Sequence, residues 1–368
     1  MKRLQNITSL STIWLLLFSF VLAFLSGCSQ ETIPDLESHE QSDLIIQETT
    51  PEYLDDPTGI YYSKSFVDPE NLNTERLQYE YENGSVIVAV RIDNEDRSWE
   101  CGVTLSIDGV FQRFSIVDGN GSLSEPAYMH TIDITSNSSS VIMISFEPSI
   151  GKAGQELSLE VGTMINPSFR TEYIGQPVYG HPLAHSFSAA GTATIVFRED
   201  APQQITPSKT NVSVRPIDEE FINSLLEEGW MEEDLYDRLQ RDYFFSIQGN
   251  ENGDVEGNII YINRLESPYI LFEVYGRESE YRASLFIDHE PVVFSDGSFY
   301  FDFEVNDKEI TDIEIPIETS RLPIEGHLYI VLFAKNNGEL EIPDNTYIIR
   351  TKTDTYFLLA PYIGSAAL

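Results

Sequence analysis

Apolar and polar residues alternate in short runs along most of this chain, and Gly, Asn, Asp and Pro punctuate the runs. That period of two, bounded by turn formers, is the pattern of antiparallel strands. In the first half it is clearest in SVIVAVRI (85–92), GVTLSI (102–107), VIMISFE (141–147), LSLEVG (157–162) and TATIVF (192–197). The second half repeats the texture in NIIYIN (258–263), YILFEVYG (269–276), ASLFID (283–288), SFYFDFEV (298–305), LYIVLFA (328–334) and YIIRT (347–351). Strands at short, fairly regular intervals without a helical period predict a β-sandwich in each half.

The halves also resemble each other. LSIDGVFQRF (105–114) aligns with LFIDHEPVVF (285–294), sharing Leu, Ile, Asp and Phe at matching positions. Each reads as strand, turn, strand, and Asp108-Gly109 is a favoured two-residue hairpin turn. With Ile107 and Val110 opposed across it, Leu105, Ile107, Val110 and Phe114 are expected on one face. VIVAV matches ILFEV before the hairpins, and GQELSLEV matches EGHLYIVL after them. Tandem duplication accounts for this register; convergence of two unrelated β domains is the rival reading.

Between the halves, Pro216 to Phe245 holds the one convincing helical stretch. Asp218 is placed to cap a helix whose apolar face is Phe221, Ile222, Leu225 and Leu226 and which Gly229 stops. A second short helix follows, with Glu232, Glu233 and Asp234 at its positive end and Arg238 and Arg241 near its negative end. The pair reads as a connector packed on one or both sandwiches, or as a docking element with Trp230 as its hot spot. The fold class is therefore mainly β: two tandem Ig-like antiparallel β-sandwiches joined by a short helical connector. Its segments are 59–200 for the first sandwich, 201–245 for linker and connector, and 246–368 for the second sandwich.

The beginning of the chain has a different texture. Lys2 and Arg3 precede an apolar run, Ile13 to Leu25, which is shorter than the roughly 20 residues of a membrane span and has the order of a secretory signal peptide. Leu25-Ser26-Gly27-Cys28 resembles the lipobox of bacterial lipoproteins. The resemblance implies that residues 1–27 are removed and that Cys28 becomes an N-terminus carrying a diacylglyceryl group. Two acyl chains suffice for stable anchoring, so the membrane is an expected partner and the expected location is extracytoplasmic. Residues 28–58 carry nine acids and no Lys or Arg, the signature of an uncollapsed tether. Its r.m.s. span is roughly 30 Å, unless DLII (43–46) docks as an edge strand.

Charge narrows the partners. The chain has 22 basic and 60 acidic residues; removing residues 1–27 takes away Lys2 and Arg3 and no acid, leaving a net charge of −40 against −38 for the whole. Nucleic acid is excluded, because binding it requires a basic footprint. With Cys28 lipidated, Cys101 in SWECGVTL has no disulfide partner and reads as a small buried hydrophobe.

No nucleophile elbow, His-Glu-x-x-His, Walker loop, GxGxxG or Cys-x-x-Cys occurs. No cofactor, metal or enzymatic activity is expected. His181 and His185 have a His-x-x-x-His spacing, but Gly180 and Pro182 place them in a loop rather than on one helical face. Asn250, Asn252 and Asp254 begin like a calcium loop, yet Val255 stands where its glycine belongs and Tyr261 where its closing ligand belongs. The aromatic segment 167–187, with Phe169, Tyr173, Tyr179 and Phe187, is long and strand-poor, as functional loops often are. These four residues and Trp230 are the candidate ligand-binding residues. The expected function is that of a lipid-anchored surface protein that binds an envelope protein partner; the alternative is carbohydrate or cell-wall glycan binding through 167–187.

Overall fold

The computed structural model describes residues 60–170, 185–227, 235, 243–248, 255–256, 259–261, 269–318, 322–323, 325–335, 350–352 and 356–359. The first sandwich is built from β1 (Tyr62–Asp68), β2 (Asn71–Glu75), β3 (Gln78–Tyr81), β4 (Val86–Asn94), β5 (Trp99–Ile107), β6 (Val110–Phe111), β7 (Phe114–Val117), β8 (Met129–Ile134), β9 (Ser138–Phe146), β10 (Glu156–Ile165) and β11 (Phe187–Phe197). Next come β12 (Asn211–Pro216) and helix α1 (Glu219–Glu227). The second sandwich comprises β13 (Tyr243–Gln248), β14 (Val255–Glu256), β15 (Ile259–Tyr261), β16 (Tyr269–Gly276), β17 (Ser279–Ile287), β18 (Glu290–Pro291), β19 (Phe301–Val305), β20 (Glu309–Pro316), β21 (Glu325–Ala334), β22 (Arg350–Lys352) and β23 (Tyr356–Leu359). The protein is mainly β, with Ig-like sandwiches, and both sandwiches belong to one compact unit, Thr50–Leu368.

In the first sandwich one sheet runs β2-β1-β4-β9-β7 and the other β3-β11-β10-β5-β6, with β8 also on β5. The second has β12-β20-β16-β13 facing β14-β15-β23-β21-β17-β18, with β19 on β17 and β22 on β21. The pairings repeat: β3 lies parallel to β11 as β15 lies parallel to β23, and the other described strand pairs are antiparallel. The hairpins that align in sequence also align in hydrogen bonding. Asp108 donates its N–H to the carbonyl of Ser158, and Asp288 donates to that of His327. Gln112 donates to Leu105 and Val292 to Leu285. The repeat legible in the hairpins is thus a repeat of fold, but the match of GQELSLEV with EGHLYIVL is out of register by two, because Leu159 pairs with Ile107 while Leu328, not Ile330, pairs with Ile287. Some sheet edges, among the described residues, depart from the repeat. The edge beside β9 is filled by β7, whereas the equivalent edge beside β20 is filled by β12, from the stretch expected to be linker.

Two interior cores follow from alternation. Cys101, Val103, Leu105 and Ile107 of β5 and Leu159, Val161 and Ile165 of β10 point into the first core; Tyr281, Ala283, Leu285 and Ile287 of β17 and Leu328, Ile330, Leu332 and Ala334 of β21 point into the second. Residues of opposite parity on these strands should meet water, yet they are buried too. Met164 of β10, Phe286 of β17, and Tyr329, Val331 and Phe333 of β21 form a third cluster with Val110, Phe111, Phe299 and Tyr300. The outer faces of the two β5/β10-type sheets therefore pack against each other, and strands buried on both faces read as nearly continuous apolar runs. Val110, expected on one face with Leu105, Ile107 and Phe114, lies in this seam instead, although it pairs with Ile107, because at the tip of the two-residue β6 it packs with Phe111 against the neighbouring sandwich.

The seam is specific in geometry. The Phe111 ring meets Phe286 edge-on at 4.8 Å and Phe333 at 5.6 Å. Arg282, nearly buried, donates to the Asp108 carbonyl at 2.6 Å and makes a two-pronged pair with Asp302 at 2.8 and 3.1 Å, with its guanidinium 4.7 Å from the Tyr300 ring centroid. Burial alone would raise the Asp302 pKa, but Arg282 and Lys335 outweigh it and hold the carboxyl below its ordinary range. α1 begins as its sequence requires: Asp218 Oδ1 accepts the Phe221 N–H at 2.9 Å, an N-cap contact. Its apolar side covers Tyr275 and Ile310 on the outside of the β12 sheet. Cys101 is free and fully buried, and burial pushes its thiol up to about 12.

Lys64 of β1 turns its Nζ inward to the Oγ1 of buried Thr163, at 2.8 Å, and to the Ser188 carbonyl. Burial lowers its pKa to about 7, which the nearby Cys101 only partly opposes. A cation depressed below its unfolded value contributes stability above the unfolded pKa, near 10.5, and loses it as pH falls toward about 7. Lys64→Met should consequently flatten the rise in stability between pH 7 and 10 measured by urea unfolding; an unchanged slope would show that Lys64 is not desolvated. Thr163 Oγ1 also has Tyr62 as a partner, at 2.7 Å, which that substitution does not remove. Phe111→Ala should cost about 3–5 kcal/mol and split one thermal transition into two, as read by calorimetry.

Candidate functional site

The repeat places an Asp at the first turn position of each hairpin, but the second position differs. In the first copy Asp108 and Gly109 have φ of 46° and 75°; in the second Asp288 and His289 have 49° and 68°. Both are turns with two left-handed residues, a geometry that favours Gly at the second position. A Cβ on Gly109 would sit 2.8 Å from Phe333, so glycine there is dictated by close packing. His289 has the same backbone with a side chain, at a cost of about 1–2 kcal/mol. Its imidazole is therefore held in place by its surroundings.

Those surroundings come from both sandwiches. His289 Nε2 lies 2.8 Å from the Pro167 carbonyl and Nδ1 lies 3.0 Å from the Tyr329 hydroxyl. A carbonyl only accepts, so Nε2 carries the proton and Nδ1 receives the Tyr329 O–H. Burial, with the charges of Asp288 and Glu290, keeps the Tyr329 phenol well above its usual range, so that proton stays in place. His185 sits just ahead of β11, where its N–H and the Ser186 carbonyl continue the pairing with Ile165. It too is left-handed, with φ 54°, and its Nε2 donates to the Phe169 carbonyl at 2.9 Å. His327 on β21 completes the group. Ring centroids are 4.9 Å apart for His185 and His327 and 5.5 Å for His185 and His289.

Each of the three histidines offers a ring nitrogen within 4.8 Å of the other two. They come from three separate parts of the chain and from both sandwiches. Around them stand Asp288, whose Oδ1 is 3.8 Å from His327 Nδ1 and accepts the His327 backbone N–H at 3.0 Å, and Arg170, 3.8 Å from the same carboxylate. Burial drives the His327 pKa down to about 4; Asp288 pulls it up, and Arg170 and His289 push it further down. His327 is thus neutral at neutral pH. Neutral imidazoles with their second nitrogen tied to a carbonyl are the usual form of histidine metal ligands.

The spacing His181-x-x-x-His185 drew attention to a histidine that does belong to a cluster, but with other partners. His181 lies outside the described residues, as do Cys28, Tyr173, Tyr179, Trp230, the second connector helix apart from Leu235, which is helical and buried with Leu225, and the would-be calcium ligands Asn250, Asn252 and Asp254. Phe169 and Phe187 are half-buried. Phe187 covers Gly162, where a Cβ would meet its ring at 2.7 Å, and Phe169 contributes its carbonyl to His185. His289 and His327 were missed by sequence because nothing local marks them. The one available signal was His289 standing where the aligned first hairpin has Gly109.

Neither a protein-family model nor a curated relative matches the sequence. Solved structures that align include the N-terminal domain of PorA, at 7% identity over 37% of this chain and 98% of that one, with a TM-score of 0.21. The Salmonella enterica SafA pilin in complex with the SafB chaperone aligns at 9% identity over 81% and 97%, with a TM-score of 0.21. The periplasmic chaperone SfaE aligns at 8% over 82% and 100%, with a TM-score of 0.20. At these identities and scores the likenesses bear on neither activity nor partner.

Proposed function

We propose that this chain is an exported lipoprotein, anchored through Cys28, whose two sandwiches act as a single rigid binding body for another envelope protein and carry out no catalysis. The observation that supports it is the buried seam. Phe111, Phe286, Tyr329 and Phe333 fix the sandwiches against each other, so that loops and edges of both are presented in one geometry. Preorganisation of that kind lowers the entropic cost of binding a large partner. The net charge of −40 without residues 1–27 favours a partner with a basic face, and electrostatic complementarity would speed and select that encounter. The glycan reading draws less support from the described part of 167–187, because the Phe187 ring packs on Gly162 rather than offering an open face.

Two measurements check this. Cys28→Ser should move the protein from the membrane to the soluble fraction and abolish incorporation of labelled palmitate; retention of either would remove the lipoprotein reading. The full-length chain in detergent, offered host envelope extract, should retain one protein in stoichiometric amount, with retention lost in high salt. Retention of wall polysaccharide alone would contradict a protein partner.

A further inference from the structure

We propose that His185, His289 and His327 form a site for a divalent transition metal of the Zn²⁺, Ni²⁺ or Cu²⁺ class, which on binding staples the first sandwich to the second. Three observations carry the inference independently of what the whole protein binds. First, the ring nitrogens already lie within 4.8 Å of one another, and a shared ion with bonds of about 2.0–2.1 Å requires only a small inward movement of the rings. Second, the Phe169 and Pro167 carbonyls hold the protons of His185 and His289 on Nε2, directing both Nδ1 lone pairs away from those carbonyls. Such outer-shell carbonyls orient imidazole ligands. Third, two of the three histidines occupy left-handed backbone, and the equivalent turn in the first copy uses glycine. Outliers of this kind cluster where a ligand is held.

The donor set selects the metal. Three imidazoles suit zinc, nickel and copper, whereas calcium and magnesium require oxygen. At His289 the ion takes the lone pair that receives the Tyr329 hydroxyl, so Tyr329 turns to another acceptor or to the ion. Three protein ligands leave the remaining coordination positions to water. Ligands drawn from both sandwiches make binding and seam closure one event, and a ligand that binds only the closed state stabilises it by mass action.

The test uses the full-length chain in detergent, without a polyhistidine tag, titrated with Zn²⁺ in excess Mg²⁺ by calorimetry, with bound metal counted by mass spectrometry after dialysis. One equivalent per chain is expected, with a higher melting temperature when loaded. His289→Gly restores the residue of the first hairpin. It relieves the left-handed strain but gives up the contacts to Pro167 and Tyr329, so its melting temperatures with and without metal are compared with each other, and it should lose the stoichiometric site. His185→Gln and His327→Gln should each weaken binding by about tenfold or more. Absence of a one-to-one site, or binding unchanged in His289→Gly and His185→Gln, would overturn the proposal, because the many surface carboxylates would then be the only binders.

Discussion

The packing of one sheet's outer face on another's is the constraint on which the rest of the molecule depends. A sandwich normally buries one face of each sheet and leaves the other to water. Here β5, β10, β17 and β21 bury both, so their odd-numbered and even-numbered positions answer to different cores: Leu328, Ile330 and Leu332 to the second sandwich, Tyr329, Val331 and Phe333 to the seam. That double burial explains why ordinary hairpin turns matter so much. Asp108-Gly109 lies against Phe333 and Arg282, and Asp288-His289 lies against Pro167. Each copy inserts its turn against the other copy.

The repeat is nearly regular, and its departures mark where the chain has been specialised. Glycine at 109 is required by contact with Phe333, while histidine at 289 keeps the same backbone and reaches across the seam. The edge beside β20 is closed by β12 rather than by a strand following the hairpin. β12 therefore joins the inter-domain stretch to the second sheet, fastened by Arg215 to Glu273 and Asp312. These two departures lie where the sandwiches meet or are joined.

Much of this was legible in the amino-acid sequence. YILFEVYG forms β16 from its first residue to its last. Asp218 caps α1, and Ile107 opposes Val110 across the hairpin. Alternation and turn chemistry are local, so they can be read locally. The seam could not be, although continuous apolar runs such as LYIVLFA carried its trace: a strand buried on both faces shows no alternation, and sequence does not say what covers the second face. The histidine cluster was hidden for the same reason. Its members stand at 185, 289 and 327, joined only by the packing of two sandwiches. Of the aromatic residues picked out in 167–187, Phe169 contributes its backbone carbonyl and Phe187 its ring to packing.

A rigid pair of sandwiches is what the account rests on, and an electron-spin distance measurement tests it most directly. Spin labels on Val141→Cys in β9 and Val212→Cys in β12, both exposed and on opposite sandwiches, in a Cys28→Ser background, report their separation. A single narrow distance distribution is expected. A broad or multiple distribution would mean that the sandwiches move independently, and the seam, the fixed display of binding surfaces and the shared histidine site would all be contradicted together.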